Sequence, residues 1–153
     1  GWGGAFKPYH VDQPDHFLFN KPHQVGLKKG DPFGFINKDM GAVGHEFDVR
    51  LSTLQRATAD PAIKQLVEPK GIVTVASSND KRAVIDYNAE GHKPRIGDDQ
   101  TIAEIIYWER PQGGRVFHTG SIATGWGVYH DETMSKLLKN VLHHFGVESR
   151  QDL

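Results

Sequence analysis

The 153-residue sequence contains no cysteine. That excludes disulfides, thiolate-bound zinc and a cysteine nucleophile together, and it leaves the redox compartment open. Net charge is nearly absent too: 18 Lys and Arg face 19 Asp and Glu, for −1, with the signs interspersed. Neither nucleic acid nor a charged membrane surface is therefore expected as a partner. No apolar run approaches the ~20 residues that span a bilayer. No signal-peptide pattern opens the chain, so a cytoplasmic location is the expectation. An initiator Met is also missing. The chain starts GWGGAFKPYH, with aromatics ahead of any start element, as expected of a fragment or a processed chain.

What is there suffices for about one domain. A chain of this length buries roughly 70% of its unfolded surface, and 37% of its residues are hydrophobic. Residues 1–153 are read as a single domain or as the C-terminal fragment of a larger chain. Within it, a loop-rich segment 1–40 is expected to pack on an α/β unit, 41–147. The first 40 residues are rich in Gly, Pro, Asp and His. They carry only short apolar pieces, 17-FLF-19, 25-VGL-27 and 33-FGFI-36, around the turn signal 29-KGDP-32.

The second half has clearer periods. Asp60 followed by Pro61 resembles a helix start over 60–67. The run 71-GIVTVAS-77 is rich in β-branched residues and predicts a buried strand. The runs 101–110 and 115–123 flank the turn 111-PQGG-114 and predict a β-hairpin. Asp131 is placed to cap a final helix. Met134, Leu137, Leu138, Val141, Leu142 and Phe145 recur at helical spacing as one apolar face, and Gly146 ends it. Strands followed by such a helix predict an α/β layer.

The sequence holds nine histidines, none in an HExxH-type spacing. His143 and His144 are adjacent on a helix, so they point about 100° apart and are poorly placed to share one ion. His118 reads as a hydrogen-bonded structural histidine. In 119-TGSIATGWG-127 the glycines suit an anion nest or oxyanion hole. Close backbone packing is the better reading, because Ser121 does not sit in a G-x-S-x-G elbow.

The densest cluster of polar chemistry is 41-GAVGHEFD-48. A strand over 42–49 would put His45 and Phe47 on one face, with Glu46 and Asp48 on the other. Two carboxylates on one face suit acid–base chemistry and equally suit an arginine from elsewhere. Glu46 is thus a catalytic carboxylate, a salt-bridge partner or a solvated strand end, and the local pattern leaves all three open.

The segments 14-PDHFLF-19, 25-VGLKKGDPFG-34, 43-VGHEFD-48, 72-IVTVASS-78 and 113-GGRVFHTGSIATG-125, with the closing helix 132–145, resemble the C-terminal part of the large subunit of N,N-dimethylformamidases. The resemblance runs from about Phe6 to Val147. It implies an amide hydrolase that converts N,N-dimethylformamide to dimethylamine and formate. It further implies an α/β fold related to class I glutamine amidotransferase-like domains, a hetero-oligomer of large and small subunits, and a mononuclear iron. The iron ligands implied lie upstream, so no metal ligand is assigned in this chain. Glu46 matches an acidic residue at the edge of the family's active site and is the catalytic candidate. His45 and Phe47 beside it are candidate substrate contacts, and Trp108 and Trp126 are further candidates for an apolar pocket wall. Two alternatives stand beside this reading. One is a non-catalytic amidotransferase-like structural or subunit-interface domain. The other is an accessory, carbohydrate-binding domain with an aromatic platform drawn from Trp2, Trp108 and Trp126.

Overall fold

A computed structural model of the chain describes residues 2–79, 84–85, 93–94 and 101–147. Strands β1 (Trp2–Lys7) and β2 (Tyr9–Val11) precede a 3-10 helix (Phe17–Phe19). Short strands β3 (Pro32–Phe33), β4 (Phe35–Asn37) and β5 (Met40–Gly41) follow, then β6 (Val43–Glu46). Helices α1 (Leu51–Ala57) and α2 (Pro61–Lys64) lead into β7 (Ile72–Asn79), β8 (Val84–Ile85) and β9 (Lys93–Pro94). The hairpin β10 (Thr101–Glu109) and β11 (Arg115–His118) comes next, and α3 (Thr124–His130) and α4 (Glu132–His144) end the described chain.

The β-branched run of β7 and the apolar run of β10 form the middle of a sheet ordered β11-β10-β7-β2-β3. The expected hairpin is there, with Ile106 opposite His118 and Glu109 opposite Arg115. Its turn is closed by Arg110 N–H donating to Gly114 O at 3.0 Å. The strand 115–123 stops at His118, because Gly120 turns the chain away at φ +71°. The segment 1–40 does more than cover this sheet, since it supplies β2 and β3. A second sheet is ordered β6-β1-β8-β9, and β4 pairs with β5.

Every pairing between these strands is antiparallel. The expected mixed α/β character is present, in an antiparallel form that does not by itself place the chain among glutamine amidotransferase-like domains. Among the described residues, no helix is long and apolar enough to cross a membrane.

Helix α4 starts where the cap predicts. Asp131 Oδ1 accepts from Met134 N–H at 2.9 Å, which supplies a partner for one of the free amides of the first turn. Its other oxygen accepts from Gly34 and Phe35 N–H, both at 2.9 Å, tying the helix start to β4. Met134, Leu137 and Val141 enter one core with Tyr9, Val11, Phe33, Val75 and Ile105. The apolar face is shorter than the periodicity predicts. Leu142 is 41% and Phe145 37% exposed, and Asn140 is buried beside Val141. Asn140 Oδ1 accepts from His23 N–H, and its amide donates to Leu18 O and His23 O, each at 2.8 Å. One polar side chain thus fastens the 18–23 segment to α4.

Candidate functional site

Glu46 ends β6, an edge strand whose paired side meets β1, with Glu46 opposite Trp2 and His45 opposite Gly3. The expected alternation of faces fails here. His45 takes φ +58°, a left-handed conformation rare for a residue with a side chain. His45 and Glu46 are consequently both exposed, whereas Phe47 is buried at 3% and bridges Ser121. The Phe47 ring belongs to the core, so packing is the role its position gives it. The His45 ring meets Phe6 edge-on at 5.1 Å between centroids and Trp126 at 6.1 Å. Among the described residues, nothing pairs with the Glu46 carboxylate.

The glycine-rich stretch after β11 is used for close packing. At Gly120 a Cβ would stand 2.6 Å from Glu104 O and 2.9 Å from Asp48 O. Three chain segments meet there: Asp48 N–H donates to Gly120 O at 2.8 Å and Glu104 N–H to Asp48 O at 3.2 Å. Ser121 Oγ accepts from Gly44 N–H and donates to Gly44 O, each at 3.2 Å. His118 Nδ1 accepts from Gly120 N–H at 3.0 Å, a structural bond as expected. The Trp108 indole donates to Lys70 O at 3.0 Å. The Trp2 side chain lies outside the described residues.

Two polar clusters lie away from Glu46. In the first, Glu104 is 6% exposed and accepts from Arg50 N–H at 2.7 Å and the Thr74 hydroxyl at 3.0 Å. The Arg50 guanidinium reaches Thr74 Oγ1 at 3.2 Å and grips Glu68, which also accepts from Ser52. The bond from Arg50 is the main reason the Glu68 carboxyl lies below the usual carboxylate range, and burial opposes it. Sequence reasoning passed over Glu104, although a lone carboxylate inside the apolar run 101-TIAEIIYW-108 is a signal that partners must exist.

In the second cluster, Tyr107 donates to Glu109 Oε1 at 2.6 Å and its hydroxyl lies 2.8 Å from His144 Nε2. Burial, then the bond to Glu109, pushes the Tyr107 phenol up to about 12. The same bond from Tyr107 holds Glu109 low. His16, packed on Tyr107 and Phe17, is lowered by burial and then by the nearby His144. A cavity of about 410 Å³ opens beside this cluster, lined by Glu109, Arg110, Gly113, Gly114, Arg115 and Phe145. It includes none of Glu46, His45 and Phe47.

Among the described residues, no group of three or more His, Asp or Glu is arranged to hold a metal ion. No chemical step is routed through iron in this chain. No curated protein and no solved structure matches the chain. A family model does, over residues 1–135. With GHEFD, the sheet strands and the 119–127 crossing all inside that span, the chain belongs to the family described as N,N-dimethylformamidase beta subunit-like, C-terminal.

Proposed function

We propose that this chain is part of an amide hydrolase of the dimethylformamidase type, cleaving N,N-dimethylformamide to dimethylamine and formate. Glu46 is the acid–base carboxylate, and the iron implied for such enzymes has its ligands in other parts of the protein. The fold relationship to amidotransferase-like domains and the assembly with the remainder of the large subunit and a small subunit belong to the same reading. Family membership over residues 1–135 supports this reaction class. The observation that supports Glu46 is its exposed carboxylate, without a partner among the described residues.

The chemistry has a use for such a group. A tertiary formamide gives up its amine only if the nitrogen is protonated as the C–N bond breaks. A carboxylate can take a proton from the attacking water and deliver it to that nitrogen. The substrate has no N–H to donate, so recognition falls to apolar walls. Trp126, in ring contact with His45 beside Glu46, is placed to form one.

The test is formate release from dimethylformamide by the iron-loaded, assembled protein, wild type against Glu46→Gln, with iron content measured in both. A loss of about a hundredfold with iron and fold retained is expected. Unchanged turnover removes Glu46 from the mechanism. A wild type that is iron-loaded yet releases no formate removes the amidase reading and leaves a structural or interface domain.

A further inference from the structure

We infer that His45 is a positioning residue: its left-handed backbone puts its ring on the exposed surface with Glu46, and the ring seats the Trp126 indole there. The inference rests on the reading of Glu46 as the acid–base carboxylate. An unbroken strand would point residues 43, 45 and 47 to one side and 44 and 46 to the other. Val43 and Phe47 are buried, so that pattern would turn the His45 ring inward. Instead Gly44 takes the inward place, and His45 and Glu46 both face solvent. The change of side happens at His45 itself, at φ +58°. Pairing with β1 is irregular over the same steps, between Gly3 opposite His45 and Lys7 opposite Val43.

Glycine takes this conformation without strain, and a glycine stands one position earlier. Gly44 is committed to something else. A Cβ there would come 2.6 Å from Phe6 Cδ1, and its N–H and C=O are both bonded to Ser121 Oγ at 3.2 Å. On the other side, Glu46 O accepts from Ile122 N–H at 3.2 Å. His45 thus lies between two fixed peptides, and the left-handed turn falls on a residue that carries a ring. Such backbone persists where its surroundings over-determine it, and it gathers at functional sites. The ring has a definite seat. It meets Phe6 edge-on, at 5.1 Å and 90°, and Trp126 at 6.1 Å and 77°. Trp126 is 55% exposed, and among the described residues His45 is the one aromatic ring it meets. The row Phe6–His45–Trp126 offers the methyl groups of a tertiary amide an apolar wall that starts one residue from Glu46.

The experiment uses the assembled, iron-loaded protein, with His45 changed to Gly, Phe or Val and a thermal melt recorded for each. Gly keeps the backbone and removes the ring, Phe keeps a ring, and β-branched Val resists the left-handed region. Turnover of dimethylformamide is split into kcat and KM. The Trp126 environment is read by fluorine NMR of fluorotryptophan-labelled protein, with the resonance assigned through Trp126→Phe. In His45→Gly, KM is expected to rise about tenfold with kcat kept, and the Trp126 resonance to move. His45→Phe is expected to restore both. His45→Val is expected to lose about a hundredfold in kcat, as for a displaced reacting group. An equal loss of kcat in His45→Gly and His45→Phe would put the imidazole in the chemistry itself and overturn the inference. So would an unmoved Trp126 resonance in His45→Gly, or a His45→Val enzyme that turns over like wild type. If His45→Val does not fold, the Gly and Phe variants decide. An iron-loaded wild type that releases no formate removes the amidase reading alone. The Trp126 resonance, compared between His45→Gly and His45→Phe, then still tests the seating of the indole.

Discussion

Glu104 and Glu46 both adjoin the crossing at residues 119–122, and they have opposite surroundings. Glu104 is 6% exposed, with both oxygens engaged by Arg50 N–H and Thr74. Glu46 is exposed, with no partner among the described residues. A carboxylate taken from water is tolerated only when hydrogen bonds replace its hydration. Burial also keeps substrate and bulk water away from the carboxylate oxygens. The buried member of the pair thus holds structure, and the free one is available for chemistry.

The comparison can be broken first at the crossing itself. Gly120→Ala would set a Cβ 2.6 Å from Glu104 O in a backbone at φ +71°. A loss of about 3 kcal/mol or more in chemical denaturation is expected. Gly30, at φ +86° with nothing within 4 Å, isolates the conformational part, and Gly30→Ala is expected to lose only about 1 kcal/mol. Equal losses for the two variants would refute the close-approach account.

Next comes the pair of carboxylates. Glu104→Ala leaves Arg50 N–H and the Thr74 hydroxyl short of a partner and is expected to cost about 3 kcal/mol. Glu46→Gln is expected to change stability by less than about 0.5 kcal/mol, whatever it does to turnover. If Glu46→Gln proves the more destabilising in urea melts, the assignment of roles is reversed.

Acidification sharpens the same contrast with smaller effects. The His16 pKa is lowered in the folded state by burial, then by His144. Below the free value of about 6.5 the unfolded chain binds the proton more readily, so stability falls as pH drops through that point. Glu68 behaves differently. Its pKa is lowered, chiefly by the bond from Arg50. Its contribution is full above the free carboxylate value of about 4.3 and is lost as pH falls further. Melting temperatures between pH 7 and 3 are expected to fall in two stages. His16→Asn should flatten the upper one and Glu68→Gln the lower. A His16→Asn profile parallel to wild type down to pH 5 would remove the first attribution.

Much of this was legible beforehand for the elements whose signals are local. Asp60 caps α2, with its side chain accepting from Ala62 N–H at 2.9 Å, as the Asp-Pro pair indicated. The hairpin appears at its turn, and α4 begins directly after its Asp131 cap. Helix α3 has no clear local signal, because Gly125 and Gly127 lower helix propensity. Gly127 is there for another reason, the close approach to Ala42. The faces of 45–48 were misread because period-two alternation assumes an unbroken strand, and His45 at φ +58° breaks it.

Sequence alone determined the capped helix, the hairpin and the family, since cap, period and motif are properties of neighbouring residues. Tertiary structure decided what no local pattern carries. The Tyr9 hydroxyl, for example, is held between Thr119 O and Thr124 Oγ1, both at 2.7 Å, across more than 100 residues of chain. The same holds for the buried partners of Glu104 and for the exposure of Trp126 and Phe145. Whether a side chain is buried, paired or free depends on which distant segments fold against it, and those contacts exist only once the chain has closed on itself.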